Sequence, residues 1–116
     1  MVLSFFCGGV PGARGAEELL AAMGAPADQV ESFRYRGNGW PGRAVARLRD
    51  GTTRDMSYHE AWGGVLSRHV QHRCKICADG TGVAADLVFA DAWEADARGY
   101  PILDEAPGQS LIVART

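Results

Sequence analysis

Apolar and polar positions along the 116 residues change period several times, and each change marks an element. Val2 to Phe6 is a short apolar run that reads as a strand delivering Cys7 to the Gly8-Gly9 turn. Pro11-Gly12 then precede a helix predicted from Ala13 to Met23, with Ala16, Leu19, Leu20 and Met23 on one face and Gly24 as its stop. Val30 to Arg36 alternates like a strand. So does Arg43 to Arg49, with Ala44, Ala46 and Leu48 on one side, and Asp50-Gly51 is a hairpin signal into Thr52 to Met56. Ser57 and Glu60 form a capping box that opens a second helix. On that helix Trp62, Val65, Leu66 and His69 share a face, and it should run out just before His72-Arg73-Cys74. Ala85 to Phe89 reads as a strand, Ala92 to Pro107 as an acidic loop, and Leu111 to Val113 as a buried last strand. The pattern is α+β, with a mostly antiparallel sheet and two main helices in a single compact domain spanning 1-116.

Composition narrows the classes. Apolar residues make up 47% of the chain, which is globular rather than disordered. No apolar run approaches the roughly 18 residues that suggest a membrane span. The opening MVLSFFCGG lacks the basic start and long apolar run of a signal peptide, so a cytoplasmic location is expected. Net charge is only -2 but unevenly spread. Arg34 to Lys75 carries nine Arg or Lys against three Asp or Glu, and the rest carries three against eleven. A basic middle steers phosphate or an acidic partner towards itself, or simply solvates a strand edge.

The three cysteines carry the sharpest candidate chemistry. An odd number in a reducing compartment makes a disulfide the weakest reading, and C-x-x-C at Cys74 and Cys77 points to metal or redox chemistry. That pair holds one side of a metal centre, and Cys7, beside glycines, can bring a third thiolate without steric bulk. Two other readings stay open: a Cys3His zinc site completed by His72, and ordinary free thiols. The second constellation is RYRGNGWPG. Gly37, Gly39 and Gly42 leave amides open, Asn38 lies between two of them, Arg34 and Arg36 can fork onto phosphate or carboxylate, and Trp40 offers an aromatic face. The same residues also describe a plain turn with Trp40 capping the core. Arg36 reads as an exposed arginine that contributes little to stability. Asp86 and Asp91 flank a strand and suit either cofactor orientation or turn roles. His59, His69 and His72 read as surface or packing residues, and no Ser-His-Asp triad, glycosidase carboxylate pair or nucleic-acid motif is present.

CGGVPG, FRYRGNGWPG, YHEAWGG, RCKICADGTGVAADLVFADAW and GQSLIVART occur in that order. In this order they resemble the C-terminal half of the coenzyme F-420 hydrogenase/dehydrogenase beta-subunit family, over nearly the whole chain. The resemblance implies a flavin and iron-sulfur oxidoreductase domain that passes electrons between a 4Fe-4S cluster, FAD and a deazaflavin such as coenzyme F-420. It implies Cys7, Cys74 and Cys77 as cluster ligands and Arg34, Arg36, Gly37, Asn38, Gly39 and Trp40 as the cofactor loop. Family members carry a further N-terminal region, so the chain is expected to be a fragment or split subunit. That region or a partner subunit would supply the fourth ligand, and the redox partner would be a ferredoxin or a hydrogenase/dehydrogenase subunit. The rival from another class is a non-catalytic zinc-binding or scaffold module.

Overall fold

The computed structural model describes residues 1–115. Its main core is a helix laid on an antiparallel sheet. Helix α1 (Ala13–Ala22) buries Gly15, Leu19 and Leu20. Met23 and Ala25 just beyond it pack against the same cluster. Strands β2 (Val30–Arg34), β3 (Arg43–Leu48) and β4 (Thr53–Ser57) form the sheet, in that order. The alternation read along β3 holds: Ala44, Ala46 and Leu48 are buried and meet the helix, and Phe33 and Met56 pack alongside. Asp50 and Gly51 make the β3–β4 turn, where the Asp50 carboxylate accepts the Thr52 N–H at 2.9 Å and Gly51 takes φ 85°.

The capping box forms as its spacing demands: the Ser57 hydroxyl donates to Glu60 at 2.6 Å, and the Glu60 N–H donates back to Ser57 at 3.2 Å. The helix it opens is not a regular α-helix. Glu60–Val65 is π-helical and Leu66–His69 a 3₁₀ turn. Gly63 and Gly64 lie inside the π segment, where two residues without Cβ atoms weaken the regular ladder, and the Leu66 N–H reaches back to the Ala61 carbonyl. Ala61, Val65 and Leu66 still face the core, with Trp62 partly buried beside them. A short helix α2 (His72–Lys75) follows and carries Cys74.

The α+β class and the mostly antiparallel pairing hold, with the strands divided between two sheets. β1 (Leu3–Phe5), β5 (Leu87–Asp91) and β6 (Ser110–Ala114) form a separate three-stranded sheet in the order β1-β5-β6. β1 runs parallel to β5, and β6 antiparallel to it. The last strand is not buried as its apolar run suggests: Leu111 is 41% and Ile112 61% exposed. An apolar run in a strand records which residue types are present, not whether a neighbouring layer covers them. In this sheet Val88 is fully buried, whereas Leu3, Phe5 and Phe89 stay open to solvent. Among the described residues no helix is long and apolar enough to cross a membrane.

Candidate metal centre and cofactor loop

Cys7 follows β1, and its N–H donates to the Gly80 carbonyl at 2.9 Å, so the strand end is tied directly to the loop beyond C-x-x-C. On the other side of the turn, Pro11 bridges Val70 and the Gln71 N–H donates to the Val10 carbonyl at 3.1 Å. These bonds bring two distant segments together. Cys7, Cys74 and Cys77 line one cavity of about 200 Å³ with Gly8, Gly9, Asp79 and Gly80. The turn needs its glycine at 9: φ is 104°, and an added Cβ would stand 2.8 Å from Val70 Cγ1 and 3.5 Å from Cys74 Cβ.

The donor set suits thiolate ligation. The Gly9 N–H points at Cys7 Sγ and the Val10 N–H at Cys74 Sγ, each at 3.4 Å, while the Cys77 thiol donates to the Asp79 carbonyl at 3.4 Å. Backbone N–H groups aimed at sulfur stabilise negative charge there and tune a bound centre. Cys7 and Cys77 are exposed and Cys74 half-buried, all three as free thiols. The Asp79 carboxyl is held below the ordinary aspartate range, chiefly by the Val83 N–H, against an opposing effect of burial, with the Thr81 N–H adding to the lowering. Its charge is therefore taken up by the loop backbone. His72 is exposed and does not line the cavity. Among the described residues no three His, Cys, Asp or Glu side chains converge closely enough to hold one metal ion, so a Cys3His zinc centre is not preassembled.

The basic loop divides into two parts. Arg34, Gly37 and Asn38 line a cavity of about 470 Å³ together with Gly42, Arg43, Val45, Thr53, Asp55 and Glu105. Arg36 and Trp40 turn the other way. The Arg36 guanidinium lies 5.4 Å from the Trp40 ring, 5.6 Å from Tyr58 and 5.4 Å from Trp93, and donates to Asp91 at 2.6 Å. Trp40 lies against Trp93 with ring centroids 4.5 Å apart and the planes tilted by 31°, and Gly108 packs so closely on its ring that a Cβ there would stand 2.7 Å away. Gly39 lies over the Glu105 carboxylate. Arg36 and Trp40 thus tie the loop of the first sheet to strand β5 of the second.

Other singled-out residues have plain structural partners. Asp86 accepts the Val2 N–H at 2.6 Å and fixes the start of β1. His69 meets Glu18 at 2.7 Å and packs over Gly15. Sequence reasoning missed Glu105, whose carboxylate accepts the Trp40 and Gly42 N–H groups from inside the long acidic loop. A single acid in an aperiodic, acid-rich segment gives no local signal of its partner.

Fold and site together define a small α+β module with a three-cysteine rim and a basic glycine loop. The family model for the C terminus of the coenzyme F420 hydrogenase/dehydrogenase beta subunit matches residues 1–116, and the chain belongs to that family. The five ordered motifs therefore carried a true resemblance. The family is named for one subunit of a hydrogenase/dehydrogenase, a redox enzyme. No curated protein matches the chain.

Proposed function

We propose that the chain is the electron-transfer module of a cytoplasmic flavin and iron-sulfur oxidoreductase, with Cys7, Cys74 and Cys77 as three ligands of a 4Fe-4S cluster. The observation that carries this reading is the convergence of all three cysteines on one small cavity, from segments far apart in the chain. When bound, a cluster supplies one-electron transfer and FAD the two-electron exchange with a deazaflavin such as coenzyme F-420. The chain's own residues hold the site. Gly8 and Gly9 keep side-chain bulk out of the cavity, the Gly9 and Val10 amides stabilise thiolate charge, and α2 fixes Cys74 against the β1–α1 turn. Arg34, Gly37 and Asn38 line the larger cavity and are the cofactor contacts of the basic loop, while Arg36 and Trp40 hold that loop in place. Three thiolates leave one ligand position to an N-terminal region or to a partner polypeptide. The electron path is completed by a ferredoxin or by another polypeptide of a hydrogenase/dehydrogenase assembly.

Anaerobic reconstitution with iron and sulfide tests the proposal. The 116 residues are expected to take up iron with acid-labile sulfide, weakly, and to show a cluster signal by absorption and electron paramagnetic resonance that Cys7→Ser, Cys74→Ser or Cys77→Ser each abolishes. Deazaflavin reduction is expected only after the partner region is added. Stoichiometric zinc in a colourless protein, insensitive to added iron and sulfide, would instead establish the zinc-binding scaffold.

A further inference from the structure

The turn at Trp40–Gly42 holds a carboxylate from 63 to 65 positions away. Glu105 accepts the Trp40 N–H on Oε1 at 2.6 Å and the Gly42 N–H on Oε2 at 3.2 Å. The loop bends through φ 56° at Asn38 and 73° at Gly42, and any Cβ at Gly39 would overlap the Glu105 carboxylate. Two amides aimed at one anion on such a bent backbone form an anion-binding concavity. Trp40 lines a cavity of about 270 Å³, while the Gly42 and Glu105 side of the concavity lines the neighbouring cavity of about 470 Å³, a size typical of small-ligand sites. The cations there are Arg34 and Arg43. Arg43 is engaged by Asp55, whereas Arg34 has no acidic partner among the described residues. With Glu105 in place the two arginines are balanced by two carboxylates, and the lining is neutral. Once Glu105 swings out, an incoming phosphate meets two N–H donors, a free guanidinium and a net positive wall. The Ala106 N–H, bonded to the Trp40 carbonyl at 3.0 Å, keeps the loop docked while the side chain leaves.

We propose that this cavity binds the phosphate group of a ligand and that Glu105 is a built-in stand-in for that phosphate, displaced when the ligand arrives. The inference rests on the reading of the basic loop as a cofactor element but needs no cluster. The source of the phosphate, a nucleotide or a free polyphosphate, is resolved by probe choice.

The test titrates inorganic pyrophosphate and ADP into the chain and into Glu105→Gln and Glu105→Ala variants, by calorimetry and by the ¹⁵N–¹H shifts of Trp40 and Gly42. Both variants are expected to bind about tenfold or more tightly than the native chain, because the native site is open only in the fraction of molecules whose Glu105 is out. Adding Arg34→Ala should cancel the gain. Tighter binding of ADP than of pyrophosphate assigns a nucleotide, and equal binding assigns the phosphate alone; either supports the site. Folded variants with no gain in affinity overturn the proposal, as does a gain without shifts at Trp40 and Gly42. Should both variants fail to fold, the native chain decides: unmoved Trp40 and Gly42 amides at saturating pyrophosphate also overturn it. A chain that fails here yet gives a cluster signal leaves the redox reading standing, and a phosphate site in a chain that takes up no iron does the reverse.

Discussion

Arg36 makes more of its surroundings than its place in a glycine loop suggests. An arginine in RYRGNGW reads as exposed and of little weight in stability, but its side chain is only 32% exposed, among three aromatic rings and against Asp91. Both parts of that contact are needed: an exposed ion pair contributes little, and the planar guanidinium adds stacking that lysine lacks. Arg36→Ala is expected to lose about 1–2 kcal/mol in urea unfolding followed by tryptophan fluorescence, with Arg36→Lys recovering less than half. The sequence shows the residues of this cluster but not their meeting, since Trp40, Tyr58 and Trp93 come from three separate segments. The glycine pair after Cys7 makes a second residue-scale case. Gly9→Ala forces a Cβ into Val70 and strains a left-handed backbone, whereas a Cβ at Gly8 meets nothing within 4 Å. Gly9→Ala is expected to cost about 1–3 kcal/mol and to speed alkylation of the half-buried Cys74, with Gly8→Ala close to native in both measurements.

Among the elements, those with local causes were the legible ones. The alternation in β3, the Asp50-Gly51 turn, the Ser57–Glu60 capping box and the apolar stripe of α1 each follow from residues within a few positions of one another. The helix after the capping box kept its buried face but not its winding, because the glycine pair acts on the hydrogen-bond ladder without disturbing the apolar spacing. The capping box also makes stability depend on acid. Glu60 is held below the ordinary glutamate range, first by the Ser57 hydroxyl and then by the Ser57 N–H. A lowered folded-state value means that the cap is at full strength above the unfolded value, roughly pH 4.3, and weakens as pH falls through the folded value. Acid titration of melting temperature is expected to show a decline below about pH 4 that is shallower in Glu60→Gln, which starts from a lower melting temperature at pH 7.

At the scale of the whole molecule the chain is longer than it is wide, 50 × 31 × 30 Å, and its radius of gyration of 16.0 Å exceeds the roughly 13 Å of a compact chain of this size. The second sheet leaves Phe5, Phe89 and Ile112 in solvent. That arrangement was not legible: periodicity identifies a strand but not which strands share a sheet, and an apolar strand facing solvent looks in sequence like a buried one. A face of this kind attracts hydrophobic dyes. The chain is expected to enhance anilinonaphthalene sulfonate fluorescence, and Ile112→Glu to reduce that enhancement while leaving urea stability within about 0.5 kcal/mol of native. The three cysteines were legible as a set, yet what joins them is the long-range bonding of Cys7 to Gly80 and of Val10 to Gln71, beside the pairing of β1 with β5.

That pairing also sets an order of events during synthesis. Val2 and Asp86, which fix the register of β1 against its neighbour, are 84 positions apart. At a translation rate of about 5–20 residues per second, roughly 4–17 s pass between the emergence of the first strand and that of its sheet partner β5. Throughout that interval Cys7 is a thiol on a nascent chain whose strand has nothing to pair with, open to oxidation and, for most of it, without the Gly80 carbonyl that later anchors it. The three-thiol rim thus closes late: Cys77 and the Gly80 carbonyl lie 70 and 73 positions after Cys7, so any centre held by all three thiols is inserted after that segment has emerged rather than when the first thiol becomes available.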